Sequence, residues 1–201
     1  MTRQRFKSIL FDYGGVFTNG SRAVSVSTRL ARTKEEQSAL ADFFRSEFVR
    51  QCARGEHDSL TLIDGINKVV SALSPSEIFK ALAESCVADN NMLKLVRALK
   101  SRYDIYLLSD SLPPYTEFIA THYRGYFDVL FMSDTFGRRK SEGLYQYAKK
   151  QIPELYESTI YIDDRKKNLA ALSEKGVIGI VFVSYYQCIN ELKELGVEVR
   201  T

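Results

Sequence analysis

With 201 residues, 45% of them hydrophobic and 26% charged, the chain has the composition of an ordinary globular protein. It is long enough to bury a core as one domain, or as one domain with a modest insertion. The formal net charge of +3 comes from basic residues spread along the sequence, without the clustered stripe of a nucleic-acid binder, and its sign suits an anionic ligand. No apolar run nears the roughly 20 residues needed to span a bilayer, and the stretch behind Arg3, Arg5 and Lys7 is too short for a signal peptide. Cys52, Cys86 and Cys188 are odd in number and lack metal-type spacing, which reads as reduced thiols in a cytoplasmic protein.

The first apolar run, 8–11, reads as a buried strand, followed at once by Asp12 and the Gly14-Gly15 pair. Helical periodicity without a convincing strand then runs through about 75 residues, far more than a βα connection needs. Thr33 and Ser74 are the expected N-caps in this stretch, with Pro75 at the first helical position and Ser74-Pro75-Ser76-Glu77 forming a capping-box pattern. Beyond it come a helix over 92–101, a strand over 105–108 ending at Ser109, and a helix over 114–123. A strand over 129–132 follows, then the basic run Arg138-Arg139-Lys140 and a helix over 143–150. The chain closes with a strand over 159–162, the acidic pair Asp163-Asp164, a helix over 167–174, a strand over 178–183 and a helix over 186–195.

Strand alternating with helix predicts an α/β fold, a Rossmann-like, doubly wound parallel sheet. Residues 1–18 and 89–201 are expected to form this core, and residues 19–88 an inserted all-helical cap. In such sheets the ligand site lies beyond the carboxyl ends of the strands. Asp12, Ser109, Lys140 and the pair Asp163-Asp164 would therefore meet at one edge. That inventory suits phosphoryl transfer through a covalent aspartyl phosphate. Phosphate and carboxylate repel one another, so a cation must sit between them, and Mg2+ prefers one or two carboxylates with water and phosphate oxygens. Asp12 and Asp163 are the expected ligands, with Asp164 nearby or acting through water. The glycines let the Gly14 carbonyl face the metal and backbone amides face the phosphate. Ser109 is expected to bind a phosphoryl oxygen, and Lys140 to compensate charge and position the nucleophile.

In this order and spacing, the four elements resemble the four motifs of the haloacid dehalogenase superfamily, over nearly the whole chain. "FDYGGVF" is similar to the branch whose first motif reads D-x-G-G or D-x-G-N, which includes glucose-1-phosphatase and the N-terminal domain of soluble epoxide hydrolase. "ARGEHDSLTLIDGI" resembles the cap-helix entry of that branch. The resemblance implies a magnesium-dependent phosphohydrolase with a helical cap, acting as a monomer or homodimer on a small-molecule phosphate ester such as a sugar phosphate, with no nucleic-acid or membrane partner. Phosphatases of the superfamily usually carry a second aspartate, an acid and base, two residues after the nucleophile. Here that position is Gly14.

Two other readings stand beside this one. A non-catalytic phosphate-ligand binder on the same fold is motivated by Gly14, and a metal-independent haloacid dehalogenase would share the fold and Asp12. Asp110 is a candidate supporting residue behind the site. His57 falls at an expected cap loop, where solvent exposure is its ordinary explanation, and Phe43, Phe44, Phe48 and Phe79 recur at helical spacing as expected core.

Overall fold

The computed structural model describes residues 6–70, 73–156, 158–173 and 177–199. Five parallel strands lie in the order β3-β2-β1-β4-β5: β1 (Ser8–Phe11), β2 (Asp104–Ser109), β3 (Val129–Met132), β4 (Thr159–Asp163) and β5 (Ile178–Val181). β1 is central and buried on both faces, which explains its unbroken apolar run. Its side chains alternate as a strand's must: Ile9 and Phe11 join one hydrophobic cluster and Leu10 the other.

Among the described residues, six helices lie between β1 and β2: α1 (Arg22–Leu30), α2 (Lys34–Phe43), α3 (Glu47–Ala53), α4 (Ser59–Val69), α5 (Pro75–Glu84) and α6 (Asn90–Lys100). Buried Leu40, Leu62, Ile66, Ile78 and Leu82 of this stretch belong to the same cluster as Ile9 and Phe11 of β1, so the helices are tied to the sheet through apolar packing. Their starts are fixed locally. The Thr33 side chain accepts from the Glu36 amide, and Ser74 makes the full capping box with Glu77 behind Pro75.

The remaining helices are α7 (Pro113–Tyr123), α8 (Ser133–Phe136), α9 (Leu144–Gln151), α10 (Lys166–Ser173) and α11 (Tyr185–Glu194). Several boundaries differ from expectation, most of them by one or two residues. β2 gains one residue at each end. β5 stops at Val181 because the Val183 and Ser184 amides donate to the Gln187 side chain while Ser184 caps α11, so the chain is already turning into the helix. The single turn α8, closed by Gly137 in the left-handed region, is too short to leave a period in the sequence. Glu174, the expected end of α10, lies outside the described residues.

The chain order makes β1 and β4 the point where the sheet reverses direction, since β2 and β3 build to one side and β4 and β5 to the other. A crevice opens there at the carboxyl ends of the strands. Asp12 follows β1 and Asp163 ends β4, side by side in the parallel register.

Candidate active site

Four of the residues singled out in the sequence meet at this crevice. Lys140, carried on a 3-10 turn (Lys140–Glu142), places its ammonium 2.8 Å from Asp12 Oδ1 and 2.8 Å from Asp163 Oδ2. Oxygens of Asp12, Asp163 and Asp164 lie within 4.8 Å of one another. Three carboxylates against one buried ammonium leave negative charge in excess, and hard oxygen donors at that separation fit a divalent cation of the magnesium type.

The three carboxylates are not equivalent. Asp12 is buried, and its Oδ1 also accepts from the Tyr13 amide at 2.7 Å. Burial is the largest influence and pushes its carboxyl up to about 6; Asp163 adds to this, while Lys140 and Arg22 oppose it. Asp163 is fully enclosed, and hydrogen bonds converge on both of its oxygens. Tyr161 Oη donates at 2.5 Å, the Arg165 amide at 2.8 Å, and the Asn168 amide group at 2.9 and 3.0 Å. Burial alone would raise its pKa, but Lys140 and these donors outweigh burial and hold the carboxyl below the usual range. Asp164 is solvent-exposed and its carboxyl is raised, through burial of part of the side chain and the neighbouring Asp163.

The glycine pair does two separate jobs. Gly15 has φ +79°, and a Cβ built there would lie 2.4 Å from Asp164 Oδ2, so glycine is what lets the Asp164 carboxylate close over this turn. Gly14 lines the cavity. The nearest atoms to a Cβ built on it are Nε and Nη2 of Arg22, at 3.5 and 3.6 Å.

Ser109 ends β2 beside the site but is fully enclosed. Its hydroxyl is turned to the Asp110 carbonyl at 3.3 Å, and the cavity wall there is formed by Leu108, Asp110 and Ser111. Asp110 does more than the sequence suggested. Its Oδ1 accepts the Lys140 amide at 2.7 Å and so fixes the turn that aims the ammonium. His57 stacks on Phe48 at 5.0 Å and reaches Gln51, away from the cavity lining.

The cavity measures about 410 Å³. Asp12, Lys140 and Asp164 occupy its sheet end; Phe44, Val49 and Ala53 from the helical stretch, with Leu112, Tyr115 and Tyr145, make part of the remaining wall apolar, and Arg50, Arg139, Ser141, Gln146 and Lys167 make other parts polar. Three functional positions escaped sequence reasoning. Tyr161 reads as ordinary strand, Asn168 is one turn into α10, and Arg22 opens α1. Only Asn168 leaves a trace, at a spacing of five from Asp163 across a helix start.

A profile of the haloacid dehalogenase-like hydrolases matches residues 6–176. The chain belongs to this family. As a family member it is a hydrolase, and its parallel sheet with flanking helices is the haloacid dehalogenase-like fold. Over 197 residues it is 26% identical to the sesquiterpene phosphatase AstK of Aspergillus oryzae, covering 94% of this chain and 96% of that protein. Among solved structures, a haloacid dehalogenase family enzyme of Bacteroides thetaiotaomicron, in complex with magnesium and inorganic phosphate, superposes with a TM-score of 0.72 at 20% identity, over 87% of this chain and 93% of that one. The L-2-haloacid dehalogenase of Xanthobacter autotrophicus, with chloropropionic acid covalently bound, gives 0.63 at 11% identity, over 96% and 84%. Among the described residues no helix is long and apolar enough to cross a membrane.

Proposed function

We propose that this hydrolase is a magnesium-dependent phosphatase that cleaves small phosphate monoesters with an apolar organic group, using Asp12 as nucleophile. The observation that carries this reading is the Asp12–Lys140–Asp163 triad with Asp164 beside it, set at one end of a cavity whose lining mixes apolar and polar side chains. The volume falls within the roughly 300–1,000 Å³ typical of small-molecule sites.

Asp12 and Asp164, with the Gly14 carbonyl, are the groups placed to hold the metal. Asp163 has its oxygens committed to other donors, so its part is to hold Lys140 and add charge. When bound, the metal supplies charge neutralisation between carboxylate and phosphate. Asp12 attacks phosphorus and the ester oxygen departs; water then cleaves the aspartyl phosphate and returns Asp12. Lys140 holds the nucleophile in place and offsets the charge that gathers on the phosphoryl oxygens. Ser109 reaches that phosphoryl group only after its hydroxyl turns from the Asp110 carbonyl.

The apolar part of the lining, Phe44, Val49, Ala53, Leu112, Tyr115 and Tyr145, gives an alkyl or terpenyl phosphate a surface to pack on, beside the polar Arg50, Ser141 and Gln146. The similarity to a sesquiterpene phosphatase points the same way. The dehalogenase reading finds less support, because Asp12, Asp163 and Asp164 outnumber the one ammonium between them and the excess negative charge calls for a further cation. The test is phosphate release from a terpenyl phosphate, a sugar phosphate, a nucleotide and nitrophenyl phosphate, each with magnesium and with EDTA. We expect magnesium-dependent turnover, fastest on the terpenyl ester and abolished by Asp12→Asn. Full activity in EDTA, or no release from any ester, would overturn the proposal.

A further inference from the structure

Lys140 is the buried cation of the sheet end and is fully engaged by Asp12 and Asp163. Among the other basic residues that line the cavity, Arg22 is the one that carries a buried nitrogen without a hydrogen-bond partner. Arg22 is the first residue of α1, on the helical stretch, and its guanidinium is clamped on several sides. The guanidinium carbon lies 4.5 Å from the Tyr115 ring centre and 5.7 Å from that of Tyr13, and Nη2 donates to the Asp110 carbonyl at 2.7 Å. Nη1 is buried with no hydrogen-bond partner; among the described residues no carboxylate lies within ion-pair distance of the group, although Asp12 and the Cys86 thiol beside it both attract it. A guanidinium never deprotonates in proteins and is costly to enclose without an anion. Its Nε and Nη2 edge is the edge nearest Gly14, and Arg22, Gly14 and Asp12 share the cavity wall.

We propose that Arg22 is a catalytic residue that binds the ester oxygen of the substrate and stabilises its negative charge as it leaves. The proposal rests on the phosphatase reading above and deepens it. Direction decides which oxygen Arg22 meets. In-line displacement places the departing oxygen on the far side of phosphorus from Asp12. Asp12, Lys140 and Asp163 belong to the sheet edge, and the helical stretch adds Ala23, Phe44, Val49 and Ala53 to the apolar part of the wall, opposite that edge, with Leu112, Tyr115 and Tyr145 completing it. The ester oxygen joins phosphorus to that organic group, on the side from which Arg22 enters.

As the bond from Asp12 to phosphorus forms, the bond from phosphorus to the ester oxygen breaks and its electron pair stays on that oxygen. Arg22 donates hydrogen bonds to it and keeps its own protons. A water supplies the proton that completes the alcohol, and the hydroxide it leaves attacks the aspartyl phosphate, so that one water is consumed, inorganic phosphate is released and the Asp12 carboxylate returns. A Cβ at position 14 would meet the guanidinium edge at an ordinary contact distance of 3.5 Å. A carboxylate there would sit against Arg22 as an ion pair.

The test is kcat/KM with magnesium for wild type, Arg22→Gln and Arg22→Lys on a series of phosphate monoesters graded in leaving-group basicity, from nitrophenyl to primary alkyl. Losing one such donor costs about 10²- to 10³-fold where charge on the oxygen is large. We expect Arg22→Gln to lose that factor on alkyl esters and less than about tenfold on nitrophenyl phosphate, and Arg22→Lys to fall between wild type and Arg22→Gln. Added guanidinium ion should restore alkyl-ester turnover to Arg22→Ala. An equal loss across the series, with no rescue by guanidinium, would show a merely structural role and overturn the proposal. Should the variants fail to fold, Gly14→Asp keeps the question open to measurement: a carboxylate paired with Arg22 should depress alkyl-ester turnover most, and a gain there would overturn the assignment. Wild-type inactivity on every ester would instead sink the phosphatase reading together with it.

Discussion

Removing the charge of Asp12 should stabilise the metal-free protein at neutral pH, although it destroys the nucleophile. Burial raises the Asp12 carboxyl from 3.8 to about 6, a value that already includes the attraction of Lys140. Each unit is worth about 1.4 kcal/mol, so two units amount to roughly 3 kcal/mol. The sign follows from proton linkage. Between pH 3.8 and about 6 the folded protein keeps a proton on Asp12 that the unfolded chain releases. The contribution of this carboxyl to stability therefore falls as pH rises through that window, and the whole penalty is present above it. Asp12→Asn removes the penalty. In EDTA the variant should melt near wild type at pH 4 and about 6–12 °C above it at pH 7, taking about 2–4 °C per kcal/mol for a chain of this size. Magnesium should then narrow the gap by stabilising wild type and not the variant. A variant no more stable than wild type at pH 7 in EDTA would refute the reasoning, since it would mean that Lys140 more than offsets the burial of Asp12.

Lys140→Ala leaves Asp12 and Asp163 facing each other without their shared ammonium; we expect a loss of about 3–5 kcal/mol in urea unfolding and of at least about 10²-fold in kcat/KM. Asp163 and Asp164 should separate cleanly. Asp163→Asn disturbs bonds to Lys140, Tyr161, Arg165 and Asn168 and should lower the melting temperature in EDTA, whereas Asp164→Asn should leave that temperature nearly unchanged and raise the magnesium concentration needed for half-maximal rate.

Most of the fold was legible because its signals are local. The apolar runs 8–11 and 129–132 coincide with β1 and β3, β1 because a strand buried on both faces must be apolar at every position and β3 as a half-buried edge strand, and the Thr33 and Ser74 caps stand where three-residue spacing put them. The end of β5 was missed for the same reason in reverse: Phe182 and Val183 look like strand, but the capping box of Ser184 and Gln187 takes the chain first. A local hydrogen-bond pattern outranked β-propensity.

The site divides along a similar line. Asp12, Lys140, Asp163 and Asp164 were readable because each follows or precedes a strand whose carboxyl end the topology places at one crevice. What ranks them was not readable. Whether Asp163 or Asp164 is free to meet a cation depends on Tyr161 and Asn168, and on Gly15, whose missing side chain admits Asp164. Arg22 illustrates the limit best. Nothing about an arginine at the start of an amphipathic helix marks it, and only the fold brings it against Gly14, eight positions earlier in the chain. Read in sequence, Gly14 is a missing acid and an argument against efficient hydrolysis. In the folded protein it is a space bordered by a fixed positive charge. A departing oxygen can be stabilised by a proton or by a cation that stays where it is, and the second needs no carboxylate two residues after the nucleophile.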